Sequence, residues 1–267
     1  MVKCQVVMDA LERIAPKRLA EDWDNPGLLV GAFNQDIRKI LVCLDVSDGV
    51  VEQAIREGAD MIVAHHPLIF KGLKKIRTDL PLGARLQQLL KHDIAVAAAH
   101  TNLDIAVGGV NDVLAEKIGL GRLSTFVITS QEADGTMESL GRMGSLSAPM
   151  TVEDFAGQVR DVLPTEHVRL VHAGQRPVRK VALCSGSGAE FIQKAAFMGA
   201  DAYVTGDVKY HEAQMAVELG MHVIDAGHFA TEFPVVEVLR QRLTEELAEY
   251  NMEVIADRES RDFFTVI

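Results

Sequence analysis

Two stretches 141 residues apart carry one pattern, and that duplication constrains the fold more than any other feature of the chain. Residues 38–60 and 179–201 agree at 7 of 23 ungapped positions: Arg38-Lys39 with Arg179-Lys180, Cys43 with Cys184, Ala54 with Ala195, and Gly58-Ala59-Asp60 with Gly199-Ala200-Asp201. Apolar matches such as Ile40/Val181 and Val63/Val204 extend the likeness. The matched glycines stand where a helix would end, so the repeat preserves structure and not composition alone. Each copy reads as strand, helix, strand, and the strands lack polar alternation, as expected of a parallel sheet buried on both faces. The expected fold class is α/β, with two homologous α/β domains: residues 1–123 plus 230–267, and residues 124–229.

In the first copy the pattern predicts a strand over Ile40–Leu44, a helix from Ser47 or Asp48 to Gly58, a strand over Met61–Ala64, a helix over Leu82–Lys91 and a third strand from Ile94 to His100. A first helix is expected over Val6–Ala15, before Pro16. Asn25-Pro26-Gly27 forms a turn whose neighbour, Trp23, is expected to plug the domain. In the second copy Ser187-Gly188-Ala189-Glu190 reads as a capping box. Between the copies we expect a strand at Phe126–Thr129, a turn at Gly141-Arg142-Met143-Gly144, a helix opened by Thr151 and a strand over His167–Val171. A last helix, Pro234–Tyr250, leads to the apolar tail Phe263–Ile267, expected to return to the sheet.

The polar residues that matter stand where these strands run out: Asp45, then His65-His66 held extended by Pro67, then His100. In open α/β sheets the carboxyl edge is where ligands bind. At an offset of 128, His100-Thr101-Asn102-Leu103-Asp104 falls on His228-Phe229-Ala230-Thr231-Glu232, so both copies carry His-x-x-x-carboxylate after the third strand. Where the first copy has His65-His66 the second has Gly206-Asp207, which leaves one centre per chain. The candidate metal ligands are therefore His65, His66, Asp104, His228 and Glu232. Carboxylates can bridge while imidazoles supply terminal nitrogens, so the set suits two cations about 3.5–4 Å apart between the domains. Cys4, Cys43 and Cys184 form no CxxC pair. A His and carboxylate site of this kind suits zinc, iron or manganese at a catalytic centre. His100 is the candidate proton shuttle, or else orients Asp104. His211 is a weaker candidate for substrate contact, or a surface residue.

Composition narrows the function. Lys+Arg 27 against Asp+Glu 38 leaves a net charge of −11, which repels polyphosphate backbones and disfavours nucleic acid as a partner. No apolar run approaches the ~20 residues needed to span a bilayer. The N-terminus carries Asp9 and Glu12 and no signal-peptide core, so a cytoplasmic location and no membrane partner are expected.

The motifs Trp23-Asp24-Asn25-Pro26-Gly27-Leu28, His65-His66-Pro67-Leu68-Ile69-Phe70, His100-Thr101-Asn102-Leu103-Asp104, Gly206-Asp207-Val208-Lys209-Tyr210-His211 and Gly227-His228-Phe229-Ala230-Thr231-Glu232 together resemble the NIF-three-like family. The resemblance spans nearly the whole chain, in the short form without the ferredoxin-like domain that longer members insert. It implies a dinuclear site whose ligands match His65, His66, Asp104, His228 and Glu232. It also implies a homohexameric ring of dimers. The cyclohydrolase label carried by bacterial members implies a small-molecule nucleotide substrate, GTP, whose guanine ring is opened by water at C8 with loss of formate. The same ions would serve a phosphoesterase equally well, and a metal-holding ring for partner binding or metal handling is the non-enzymatic alternative.

Overall fold

Apolar runs without polar alternation become the central strands of two sheets. The computed structural model describes residues 1–131 and 133–267. They divide into two compact units, Met1–Ala106 with Val236–Ile267, and Val107–Val235. Residues 107–123 and 230–235 thus belong to the second unit.

In the first unit the chain runs β1 (Val2–Lys3), α1 (Cys4–Ile14), β2 (Gly27–Val30), β3 (Asp36–Ile37), β4 (Lys39–Cys43), α2 (Asp48–Glu57), β5 (Met61–Ala64), α3 (Pro81–Lys91), β6 (Ala95–Ala98) and α4 (Thr101–Ile105). Among the described residues β4, β5 and β6 pair in parallel, β2 closes one edge antiparallel to β6, and the C-terminal strand Glu253–Ala256 adds in parallel beside β4. Every residue of β5 and β6 is buried, so helices must cover both faces. Helix α2 starts where the Ser47 hydroxyl accepts the Val50 amide and stops at Gly58, whose φ of +67° is the left-handed cap. Its face packs Val50, Val51 and Ala54 on Leu41, Cys43 and Ile62.

The second unit comprises α5 (Val110–Lys117), β7 (Gly121–Gln131), β8 (Met137–Met150), α6 (Val152–Val162), β9 (Arg169–Val171), β10 (Val178–Leu183), α7 (Ile192–Phe197), β11 (Ala202–Thr205), α8 (Tyr210–Glu218), β12 (His222–Asp225) and α9 (His228–Glu232). Its sheet runs in the order β7-β8-β10-β11-β12-β9, with β10, β11 and β12 parallel. Alternation along these strands splits the core. Val181, Leu183, Val204 and Ile224 meet Leu114 of α5 and Phe155 of α6, whereas Ala182, Tyr203 and Val223 meet Ile192 of α7 and Ala216 of α8.

Five local expectations are corrected. Gly141–Gly144 is no turn: it lies inside β8, where a Cβ on Gly141 would stand 2.4 Å from the Leu183 carbonyl oxygen and one on Gly144 2.9 Å from Leu123. These glycines let neighbouring strands approach closely instead of reversing the chain. Ser187 caps no helix among the described residues. The chain after it forms a single 3-10 turn, Ala189–Phe191, because Gly188 is drawn to β11 by the Tyr203 hydroxyl on its carbonyl (2.8 Å) and by its own amide on Thr205 Oγ1 (3.0 Å). The last helix ends at Glu246, and the segment returning to the sheet is Glu253–Ala256. The strand stops where Asp257 Oδ1 accepts the Glu259 and Ser260 amides, which leaves Phe263, Phe264 and Val266 exposed. Trp23 is 60% exposed and plugs no core.

Candidate metal centre

In the first unit the site is built at the carboxyl ends of β4, β5 and β6. His65 follows β5 and is fully buried, with Nδ1 2.9 Å from the Ala99 carbonyl oxygen. A carbonyl only accepts, so Nδ1 carries the proton and Nε2 is the lone-pair nitrogen. That Nε2 lies 3.6 Å from Asp104 Oδ1. His66 Nδ1 donates to Asp45 Oδ1 at 2.8 Å, and His100 Nδ1 to Asp24 Oδ1 at 2.8 Å. The three imidazoles present ligand atoms that all lie within 4.8 Å of one another.

The support for His100 comes from a loop. The Asp24 side chain is fully buried and also accepts from the Thr101 amide (3.0 Å), the Thr101 hydroxyl (2.6 Å) and the Asn25 amide (2.7 Å). Burial pushes its carboxyl pKa up, but the hydrogen bonds from His100 and Thr101 outweigh that and hold it at about 2. Helix α4 carries Asp104 one turn below His100, and the Asn102 side chain fixes its start by accepting the His100 amide and donating to the Ala15 carbonyl. His100 is thus oriented through Nδ1 by Asp24.

In the second unit α9 places His228 and Glu232 on one face, with Nε2 and Oε2 3.1 Å apart. His228 Nδ1 donates to Asp207 Oδ2 at 2.8 Å. Asp207 follows β11 in a left-handed backbone, φ +57°, a conformation aspartate tolerates better than most residues. Asp225, at the end of β12, accepts from the Val208 and Gly227 amides and from Arg169, and so ties the Asp207 loop to the start of α9. Gly186 makes room for the carboxylate, since a Cβ there would stand 2.1 Å from Glu232 Oε1. His211 lies on α8, 3.4 Å from Gln214 of the same helix, and joins no such cluster among the described residues.

One regularity runs through both units: His65, His66, His100 and His228 each spend Nδ1 on a carboxylate or a backbone carbonyl, the arrangement by which metal-binding imidazoles are oriented through Nε2. The donor set therefore fits a divalent cation. Sequence reasoning noted Asp45 at a strand end, Asp207 opposite the histidine pair and Asp24 in the tryptophan loop, without seeing that each orients an imidazole.

The sequence matches the family Duf34/NIF3 (NGG1p interacting factor 3) over residues 2–262. The chain belongs to the Duf34/NIF3 family. A relative in Clostridium perfringens, named GTP cyclohydrolase 1 type 2 homolog, is 34% identical over 266 residues, covering 100% of both chains. Among solved structures, the Bacillus cereus protein related to NIF3 superposes with a TM-score of 0.95 at 29% identity, covering 100% of this chain and 99% of that one. Reduced HcgD from Methanocaldococcus jannaschii gives 0.81 at 31% identity, with 96% and 97% covered. The mixed α/β fold is thus that of the NIF3 proteins, and the described residues contain no helix long and apolar enough to cross a membrane.

Proposed function

We propose that this NIF3 protein is a metal-dependent hydrolase of nucleotides, with a dinuclear centre formed by His65, His66 and Asp104 from one unit and His228 and Glu232 from the other. The observation that carries the reading is the common orientation of the imidazoles, each held at Nδ1 so that Nε2 is the donor nitrogen. Two divalent cations, zinc, iron or manganese, would supply the positive charge that eases deprotonation of water and stabilises an oxyanion. His100 acts as the proton carrier. With Nδ1–H fixed on Asp24, its Nε2 takes a proton from the attacking water and returns it to the leaving atom. The name shared by the curated relatives favours GTP as the nucleotide. The repeat supports reading the two units as copies of one ancestor, and the family resemblance supports a homohexamer.

Metal analysis of protein reloaded with zinc, iron or manganese, beside formate release from GTP, tests this. About two metals per chain are expected, with turnover abolished in His65→Ala and Glu232→Ala variants that keep the wild-type circular dichroism. Absence of bound metal refutes the proposal. Bound metal with no turnover above the Glu232→Ala background, over a panel of nucleotides and phosphoesters, would replace it with a metal-holding role.

A further inference from the structure

A tryptophan that leaves the core needs another use, and Trp23 stands next to the histidine cluster. Its ring lies 6.1 Å from that of His100 and 5.9 Å from that of Phe70, itself 43% exposed and 6.2 Å from His100. Exposed aromatics usually sit on mobile loops, but this one is pinned on both sides. The Glu21 amide donates to Thr101 Oγ1 at 3.0 Å, Asp24 is held by four hydrogen bonds, and Asn25 Nδ2 donates to the Ile69 carbonyl at 2.6 Å. The last bond also fixes Phe70 against the tryptophan loop. A flat apolar surface thus projects, pre-organised, beside polar groups that could hold a metal.

We propose that Trp23 and Phe70 form a stacking platform for the planar heterocycle of the substrate, and that Trp23 selects a nucleobase-bearing molecule for this site. The assignment rests on the nucleotide reading above, and it adds the residues that recognise the base. The two rings are tilted at 58° with centroids 5.9 Å apart, too close to admit a base between them, so a base stacks on the outer face of the indole. Such a contact reads no hydrogen-bond pattern and accepts any flat heterocycle, purines most strongly by area.

Trp23 is the chain's single tryptophan, so its fluorescence reports on this surface alone. Zinc-loaded protein is titrated with GMP and with ribose 5-phosphate, and GMP binding is measured independently by equilibrium dialysis. GMP should quench saturably while ribose 5-phosphate does not. Trp23→Ala should weaken GMP binding by about 10- to 100-fold, Phe70→Leu by less, and Trp23→Phe should retain most of it. Equal responses to GMP and ribose 5-phosphate, or wild-type GMP binding by Trp23→Ala, overturn the proposal. So does a Trp23→Ala variant that binds GMP normally but falls to a smaller assembly by light scattering, which would make the platform a contact between copies. Metal content and turnover are followed in parallel. Stacking without turnover supports the platform while removing the hydrolase reading, whereas turnover with unaltered GMP binding in Trp23→Ala removes only the platform.

Discussion

Replacing Gly186 with alanine separates two effects that most site variants confound. The residue has φ +60°, where a Cβ costs about 1–2 kcal/mol. Beyond that, the new methyl would stand 2.1 Å from Glu232 Oε1, 3.0 Å from its Cδ and 3.1 Å from His228 Nε2, against an ordinary contact of at least 3.4 Å. The carboxylate must therefore retreat by about 1.3 Å. Glu232 is 5% exposed, so there is little room to retreat without turning its oxygens away from His228. Loosening a ligand's support by this much costs at least the ~10–100-fold in metal affinity seen when ligand-orienting groups are removed. Gly199→Ala is the control, because Gly199 also has a left-handed backbone, φ +75°, with nothing within 4 Å of its Cβ position. Both variants should melt roughly 2–8 °C below wild type, the strain of a non-glycine residue at positive φ. Zinc competition with a chromophoric chelator should show loss of affinity in Gly186→Ala alone. Wild-type zinc affinity in Gly186→Ala, or an equal loss in Gly199→Ala, would refute the claim that this glycine exists to seat the carboxylate.

Asp207→Ala should weaken zinc binding by about 10–100-fold without unfolding the protein, since Asp207 orients His228 through Nδ1, and the same chelator assay reads it. His222, buried at the start of β12, accepts the Ala173 amide at Nδ1 and donates to the Arg176 carbonyl through Nε2, which only the neutral ring can do. Burial is the main cause of its lowered pKa, with Arg176 and His172 nearby, so the unfolded chain takes up the proton first as pH falls. Stability should decline as pH drops below about 6.5, and urea titrations of His222→Gln should show a flatter decline. Tyr203→Phe removes one of the two hydrogen bonds that the buried Gly188 carbonyl accepts, leaving the one from the Phe191 amide, and should cost about 0.5–1.5 kcal/mol in denaturant unfolding.

What could be read from the sequence was whatever local rules decide. β5 and β6 are uninterrupted apolar runs, Ser47 and Gly58 bracket α2 by capping chemistry, and His228 begins a helix that brings Glu232 to its own face. The partners of the imidazoles were not readable, because Asp24 and His100 are 76 residues apart and only the folded loop brings them together. Gly141 misled because glycine marks a turn and a close approach between strands with the same letter. Trp23 misled because the only tryptophan is an obvious core filler by hydrophobicity, and nothing local reveals that four hydrogen bonds to Asp24 hold its loop outward. The tail misled similarly: Phe263 and Phe264 are more apolar than Glu253–Ala256, yet it is the latter that finds the edge of β4.

The pairing of Glu253–Ala256 with β4 sets the order in which the chain can mature on a ribosome. The second unit is continuous, Val107–Val235, and has all its strands once residue 235 has left the exit tunnel. The first unit begins 106 residues earlier and finishes later, because its sheet waits for Glu253–Ala256, made after the whole of the second unit. Until then β4 has an open edge, the kind of surface that recruits chaperones or pairs wrongly with a neighbouring nascent chain. Chain termination or cleavage between residues 236 and 253 should therefore spare the unit carrying His228 and Glu232 and strike the one carrying His65, His66 and Asp104.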